Sequence, residues 1–259
     1  MNLDLTDKTA VVTGASRGIG LATVRTLIGE GVRVVGAART ITPELKETGA
    51  HAVSADLSTA EGVSVLFDSA LAELGGIDLL VNNVGGGDRA TVGFLDVDDT
   101  EWNSLFDINV LSTVRATRAA LPSLIERRGA IVNISSILAL MPGGFPVAMS
   151  SAKAALTALG KSLAEEFGPR GVRVNTISPG LVSTSVYQDP NGQVAQWAAA
   201  SGMTLAEFTQ RMVTDQNVST GRMAAAEEVA ALIAFLLSDV AGNITGVNYV
   251  IDGGTVKTV

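Results

Sequence analysis

The chain has 259 residues, a net charge of −8, one histidine and no cysteine. Its length suits one large domain or two small ones. Without thiols it has no disulfides or thiolate metal sites, and His51 alone argues against a histidine metal centre or a Ser-His-Asp triad. An acidic surface disfavours nucleic acid and anionic membranes as partners, and no apolar run approaches the ~20 residues of a membrane span. The amino-terminal residues lack the basic and apolar regions of a leader, so a cytoplasmic location is expected.

Thr9 to Thr13 is a short β-branched run that reads as a buried parallel strand. It meets a glycine-rich loop from Gly14 to Gly20, and a helical pattern follows through Glu30 until Gly31 stops it. Strands are expected at Val32 to Ala37, Ala50 to Ala55 and Ile77 to Val81, with a helix from Glu61 to Leu74. His51 lies at the start of the third strand and reads as a plain surface residue. A long helix is expected from Asp99 to Leu121, a strand from Ala130 to Ile134, and a second long, Ala-rich helix from Met149 to Phe167, closed by Gly168-Pro169. Val172 to Ile177 is the sixth strand. Glu227 to Leu237 and Val247 to Ile251 are the last helix and strand. The alternation implies an α/β fold: one domain, a doubly wound parallel sheet of Rossmann type with helices on both faces. Residues 183–222 break the rhythm. They are too long for an ordinary connection and read as a lid within that domain, with helical composition at Gln193 to Ala200 and Leu205 to Val213.

Thr13-Gly14-x-x-x-Gly18-x-Gly20 lies between a strand and a helix. Glycines let a backbone turn tightly and approach a pyrophosphate, and the helix N-terminus adds free N–H groups and the positive end of its dipole. Gly14, Ser16, Arg17, Gly18, Ile19 and Gly20 are therefore expected around a dinucleotide. The second strand ends Gly36-Ala37-Ala38-Arg39, without the acid that binds a ribose 2′-OH in NAD enzymes. Arg39, with Arg17 nearby, suits a 2′-phosphate, so NADP(H) is favoured over NAD(H). Asp56 and Leu57 follow the third strand, where the aspartate can accept from an adenine amino group. Asn82-Asn83-Val84-Gly85 follows the fourth strand at the carboxyl edge, where such sheets bind ligands; Asn83, Val84 and Gly85 are expected beside the cofactor.

These motifs together resemble those of the short-chain dehydrogenase/reductase family over nearly the whole chain. Ile131-Val132-Asn133-Ile134-Ser135-Ser136 is similar to the family's strand ending in a catalytic serine, and Asn109 to its helix asparagine. Pro179-Gly180-x-x-x-Thr184 is similar to its turn at the nicotinamide, so the resemblance places Pro179, Gly180, Val182 and Thr184 at the cofactor. Asp252-Gly253-Gly254 is similar to its usual ending. The resemblance implies that Ser136 holds the substrate oxygen, that Lys153 binds the nicotinamide ribose, and that Asn109 anchors a water relay. It also implies a homo-oligomer, a tetramer or dimer, packed through the two long helices.

One member departs. The family's proton-carrying tyrosine stands four residues before the lysine, and here that position is Met149. A thioether neither gives nor takes a proton near neutral pH. Only Tyr187, at the start of the lid, and Tyr249, in the last strand, carry phenols. The family's divergent enoyl reductases have methionine at this position and tyrosine seven before the lysine, but that residue here is Pro146. Ser150 and Ser151 flank Met149 and are poor relays. Three readings fit: a carbonyl/alcohol, C=C or C=N oxidoreductase with altered proton delivery; a cofactor-binding protein without turnover; or an introduced Tyr→Met change in an ordinary carbonyl reductase. Val186, Tyr187, Trp197, Met203, Leu205, Phe208 and Met212 of the lid, with Phe145, suggest either a fairly large apolar small-molecule substrate or packing of the lid on the body. Within that set Phe145 and Tyr187 join Ser136 as candidate substrate contacts.

Overall fold

A computed structural model describes residues 2–86, 94–142 and 147–258. Phe145 and Pro146 lie outside the described residues. β1 (Thr9–Thr13) leads to α1 (Gly18–Gly29) and β2 (Arg33–Ala38). A short α2 (Pro43–Lys46), β3 (His51–Ser54), α3 (Ala60–Leu74) and β4 (Leu79–Asn82) follow. α4 (Asp99–Phe106) and α5 (Ser112–Arg127) precede β5 (Ala130–Ile134), and α6 (Val147–Phe167) precedes β6 (Arg173–Pro179). β7 (Val182–Ser183) opens an excursion of α7 (Ser185–Gln188), α8 (Gln193–Ala200) and α9 (Leu205–Asp215). β8 (Ala224–Ala225) closes it, and α10 (Ala226–Leu237) and β9 (Asn248–Ile251) end the fold.

Among the described residues, seven strands form one sheet in the order β3-β2-β1-β4-β5-β6-β9, parallel at every pairing. All residues of β1 and β5 are buried, as strands covered on both faces must be. The two-residue period divides them. Ala10, Val12, Val132 and Ile134 join a cluster with Val24 and Leu27 of α1 and Val229 and Ile233 of α10. Val11 and Ile131 face Leu66 and Phe67 of α3, Ala120 of α5 and Ala164 of α6. Each such buried valine, leucine, isoleucine or phenylalanine side chain stabilises the fold by about 1.5–3 kcal/mol. The strand order reverses between β1 and β4, which opens a crevice at their carboxyl ends.

The helix expected from Asp99 to Leu121 is interrupted. α4 starts on Asp98, whose carboxylate accepts from the Glu101 N–H at 2.8 Å. It passes into a π-turn (Asp107–Leu111) before α5. α5 then runs past Pro122 to Arg127, and Arg128 ends it at φ 52°. Residues 183–222 do contain the two expected helices, α8 and α9. They also contain α7, and β7 pairs with β8 through Val182–Ala224 and Ser183–Ala225. This pairing gathers the two ends of the excursion into one hinge. No helix among the described residues is long and apolar enough to cross a membrane.

The opposite edge of the sheet is held by a buried polar knot. Asp78 Oδ2 accepts from the Thr9 N–H at 2.9 Å and from Thr9 Oγ1 at 2.8 Å, and Arg127 reaches Asp78 Oδ1 at 3.3 Å. Asp78→Ala leaves the buried Thr9 N–H without its partner, so urea unfolding is expected to show a loss of about 1–3 kcal/mol. A variant as stable as the parent would show that the knot contributes nothing.

Candidate active site

The crevice is built from close approaches that only glycine permits. Gly14 leaves β1 at φ 67°, and a Cβ there would lie 2.8 Å from Asn83 Nδ2. A Cβ on Gly20 would lie 2.1 Å from the Gly14 carbonyl oxygen, so α1 begins directly against the loop. Arg17 precedes α1 without capping it by its side chain, which leaves the first N–H groups available to an anion. Thr13 and Asn83 fasten the loop. Thr13 Oγ1 accepts from the N–H groups of Asn83 at 2.9 Å and Val84 at 3.1 Å. Asn83 Nδ2 donates to the carbonyls of Thr13 and Gly14, both at 3.1 Å. Thr13 was not singled out as a site residue by sequence reasoning, although it stands in the motif itself.

A groove of about 680 Å³ runs along this loop. Gly14, Ser16, Arg17, Gly18 and Ile19 form one wall. Arg39, Asp56 and Leu57 close one end, and Asn83, Val84 and Gly85 lead to the other. Arg17 and Arg39 are both exposed at the rim. Asp56 Oδ1 accepts from the N–H of Ser58 at 3.0 Å and its hydroxyl at 2.8 Å; these bonds hold its carboxyl below the usual range. The Ser16 hydroxyl is donated to the Thr40 carbonyl, tying the loop to the end of β2. Thr40, Thr42, Ile108 and Ser185 also line the groove, and as ordinary loop or helix residues they give no signal in the sequence; Val186 of the lid lines it too. Of the turn after β6, Thr184 reaches the groove, while Pro179 and Val182 are buried and Gly180 is pressed against Asp252, where a Cβ would lie 2.8 Å from the aspartate Cβ.

At the Gly85 end three elements converge. The π-turn carries Asn109, fully buried, whose Oδ1 accepts from the Gly86 N–H at 3.1 Å and whose Nδ2 donates to the carbonyls of Gly86 at 2.8 Å and Leu105 at 2.9 Å. α6 carries Lys153, 8% exposed, with Nζ donating to the Ile134 carbonyl at 3.0 Å. A Cβ on Gly85 would lie 2.9 Å from Asn109 Oδ1 and 3.0 Å from Lys153 Nζ. Ser135 and Ser136 directly follow β5. Ser135 donates to the Lys153 carbonyl at 3.1 Å and shares a 2.7 Å hydrogen bond with Thr157, so it clamps α6 to the strand; sequence reasoning gave it no role. Ser136 Oγ accepts from the Leu138 N–H at 3.2 Å and is half-buried. Burial brings Lys153 down from 10.5 to about 8, because a desolvated ammonium is disfavoured.

Met149 lies one helical turn before Lys153 and packs with Leu105 and Ala148, against which Val97, Trp102 and Leu138 rest. Tyr187 packs within the lid against Val213 and Val218 and against Leu181, with Met212 beside it, and burial pushes its phenol up. Tyr249 packs against the core on the α1 side of the sheet. His51 is exposed and meets Ser69 at 3.0 Å. Among the described residues no group of three or more histidines or acids is arranged to hold a metal ion.

In sequence and fold the chain is similar to known proteins. A family model described as enoyl-(acyl carrier protein) reductase matches residues 14–256. The chain is 34% identical to 3beta-hydroxysteroid dehydrogenase 1 of Eggerthella lenta, over 97% of this chain and 94% of that one. Its fold superposes on L-sorbose reductase of Gluconobacter frateurii, solved with NADPH and L-sorbose, with TM-score 0.92, 32% identity and 100% of both chains covered. It also superposes on an NADPH-bound short chain oxidoreductase of Pseudomonas aeruginosa PAO1 described as containing an atypical catalytic center, with TM-score 0.87, 33% identity and 99% of both chains covered. The chain belongs to the short-chain dehydrogenase/reductase family and is an oxidoreductase of that type.

Two glycines of α1 are expected to respond in opposite ways. Gly20→Ala forces its methyl group onto the Gly14 carbonyl and should destabilise by about 1–3 kcal/mol. Gly29, with nothing within 4 Å of a Cβ, should gain about 0.5–1 kcal/mol as alanine. Thermal melts of both variants check this, and equal effects would refute the close-approach argument.

Proposed function

We propose that the chain is an NADP(H)-dependent oxidoreductase that transfers hydride between the nicotinamide and a carbonyl or alcohol carbon of a fairly large apolar small molecule, with Met149 at the position of the acid/base tyrosine. The observation that carries this reading is a single groove running from Arg17 and Arg39, past the glycine loop, to Gly85, where Lys153 and Asn109 meet. The residues fit the dinucleotide. The loop has no room for side chains where a pyrophosphate would lie, the α1 N-terminus is uncapped by a side chain, and two guanidinium groups suit a 2′-phosphate. When bound, the nicotinamide supplies and accepts hydride.

The chain's own residues do the rest. Lys153 and the Thr184 turn orient the nicotinamide end, Ser136 donates to the substrate oxygen, and Asn109 keeps the Gly85–Gly86 backbone in place. Such alignment alone removes a large part of a hydride-transfer barrier. Met149 contributes shape and an apolar wall. The NADPH-bound neighbours support the cofactor reading, and one of them is a short chain oxidoreductase with an atypical catalytic center, which supports an oxidoreductase whose centre departs from the usual set. A second reading, a cofactor-binding protein without turnover, is favoured by the apolar packing of Met149.

Fluorescence titration should show NADPH binding at least about tenfold tighter than NADH. Arg39→Ala should remove about 1.5–3 kcal/mol from NADPH binding, the range of a charge-assisted contact, and little from NADH binding. A preference for NADH would overturn the two-arginine argument. Met149→Tyr should raise reduction of a ketose, a 3-oxosteroid or an aromatic 1,2-diketone by at least about tenfold, part of the roughly 10²–10⁴-fold that a positioned acid gives where none is present. Cofactor binding without turnover in either form would favour the second reading.

A further inference from the structure

With no phenol one turn before it, Lys153 is the buried titratable group left at the end of the groove. Its Nζ lies 3.0 Å from the Ile134 carbonyl and within 3.0 Å of where a Cβ on the groove residue Gly85 would sit. An ammonium has three N–H donors, and one carbonyl uses one of them. We propose that Lys153 is the proton donor of the reaction, its ammonium supplying the proton directly or across one hydroxyl or water. This rests on the oxidoreductase reading above and extends it.

Three features of the surroundings suit the role. The Asn109 carboxamide, the other side chain beside Gly85, is committed to Gly86 and Leu105. Lys153 itself is 8% exposed, and Met149, one turn before it, is buried among Leu105 and Ala148. Charged groups on the elements packed against α6 do not set the acidity of Lys153. β5 and the turn after it carry none; α4 carries Asp99 and Glu101, the π-turn Asp107, the turn after α6 Arg170, and β6 Arg173. Asp107 pairs with Arg115 at 2.9 Å, Arg170 lies over Phe167, and Arg173 donates to the carbonyls of Leu236, Leu237 and Ser238. On α6 itself Lys161 pairs with Glu165. Burial alone lowers Lys153, to about 8, close to the working pH that favours an acid catalyst.

The step balances. In the reductive direction the carbonyl carbon takes hydride from the reduced nicotinamide and the carbonyl oxygen takes a proton from Nζ. The C=O bond becomes C–OH, the nicotinamide is oxidised, and the neutral amine regains a proton from water.

Two measurements test this. In the dinucleotide-free protein labelled with 13Cε-lysine, the Lys153 resonance, assigned by its loss in Lys153→Arg, should titrate near pH 8. With saturating NADPH and an aromatic 1,2-diketone, the single-turnover rate should fall tenfold per pH unit above about pH 8. Lys153→Arg keeps the cation but holds its proton too tightly to give it up. It should bind NADPH within about tenfold of the parent, yet lose at least about 100-fold in rate. A midpoint near the ordinary 10.5, a flat rate from pH 7 to 10, a Lys153→Arg protein of parental rate, or no hydride transfer with NADPH bound would each overturn the proposal. Failure to bind either dinucleotide would sink the functional reading and this proposal with it, whereas binding with a rate indifferent to Lys153 would sink the proposal alone.

Discussion

The site depends on one short set of hydrogen bonds across the sheet's switch point. β1 and β4 are adjacent, and the strand order turns away from them in both directions. Their carboxyl ends would splay without a tie. The Thr13 hydroxyl accepts two backbone N–H groups from the β4 side, and the Asn83 carboxamide returns two donations to the β1 side. With both partners buried or half-buried, each bond contributes little net, about 1 kcal/mol, but leaving any of them unmade costs more. The tie fixes where Gly14 turns, and Gly14 in turn fixes how closely α1 can start. The groove floor is thus set by the fold's topology, and the side chains that line it add charge and shape to a position already determined.

Much of this was legible in the sequence because it follows from strong local patterns. The β-branched runs at Thr9–Thr13 and Ala130–Ile134 become strands with those same limits, since a strand covered on both faces needs an unbroken apolar run. The glycine spacing named the loop, and Gly14, Gly18 and Gly20 all prove to be positions where a side chain is strained or crowded. The π-turn at Asn109 left no trace. One extra residue in a turn barely shifts a 3.6-residue pattern, and it is fixed by the Asn109 bonds to Gly86, a residue 23 positions away. The helix was expected to end at Leu121, yet α5 continues past Pro122, because its apolar face at Ala116, Ala120 and Leu124 is packed in the core. Ser135 was invisible for the same reason as Thr42: the partner that gives each its role lies elsewhere in the chain.

The lid illustrates a different limit. Its helices were expected from composition, and the structure adds a Thr204–Glu207 capping box at the start of α9, but its attachment was not legible. One end is the β7–β8 pairing. The other is the carboxyl-terminal segment: the Thr220 N–H donates to the Gly253 carbonyl at 3.0 Å, and Lys257 Nζ donates to the Asn217 carbonyl at 3.0 Å and to Ser219 Oγ at 2.9 Å. Gly253 and Gly254, at φ 64° and 81°, allow this crossing. The ending that resembled a family signature is, physically, a fastening for the lid.

Burying Lys153 has a thermodynamic signature distinct from any catalytic role. Its folded value of about 8 lies below the unfolded 10.5, so below pH 8 both states hold the proton and folding bears the whole cost of enclosing a charge, roughly 3 kcal/mol. Between those two values the unfolded chain binds more protons than the folded one, and stability rises with pH. Above 10.5 the cost has gone. A buried polar group retained at such a cost is expected at functional rather than structural positions. The surroundings of Lys153 reinforce the point: its Nζ reaches the Ile134 carbonyl and lies beside the groove residue Gly85, positions that use an ammonium.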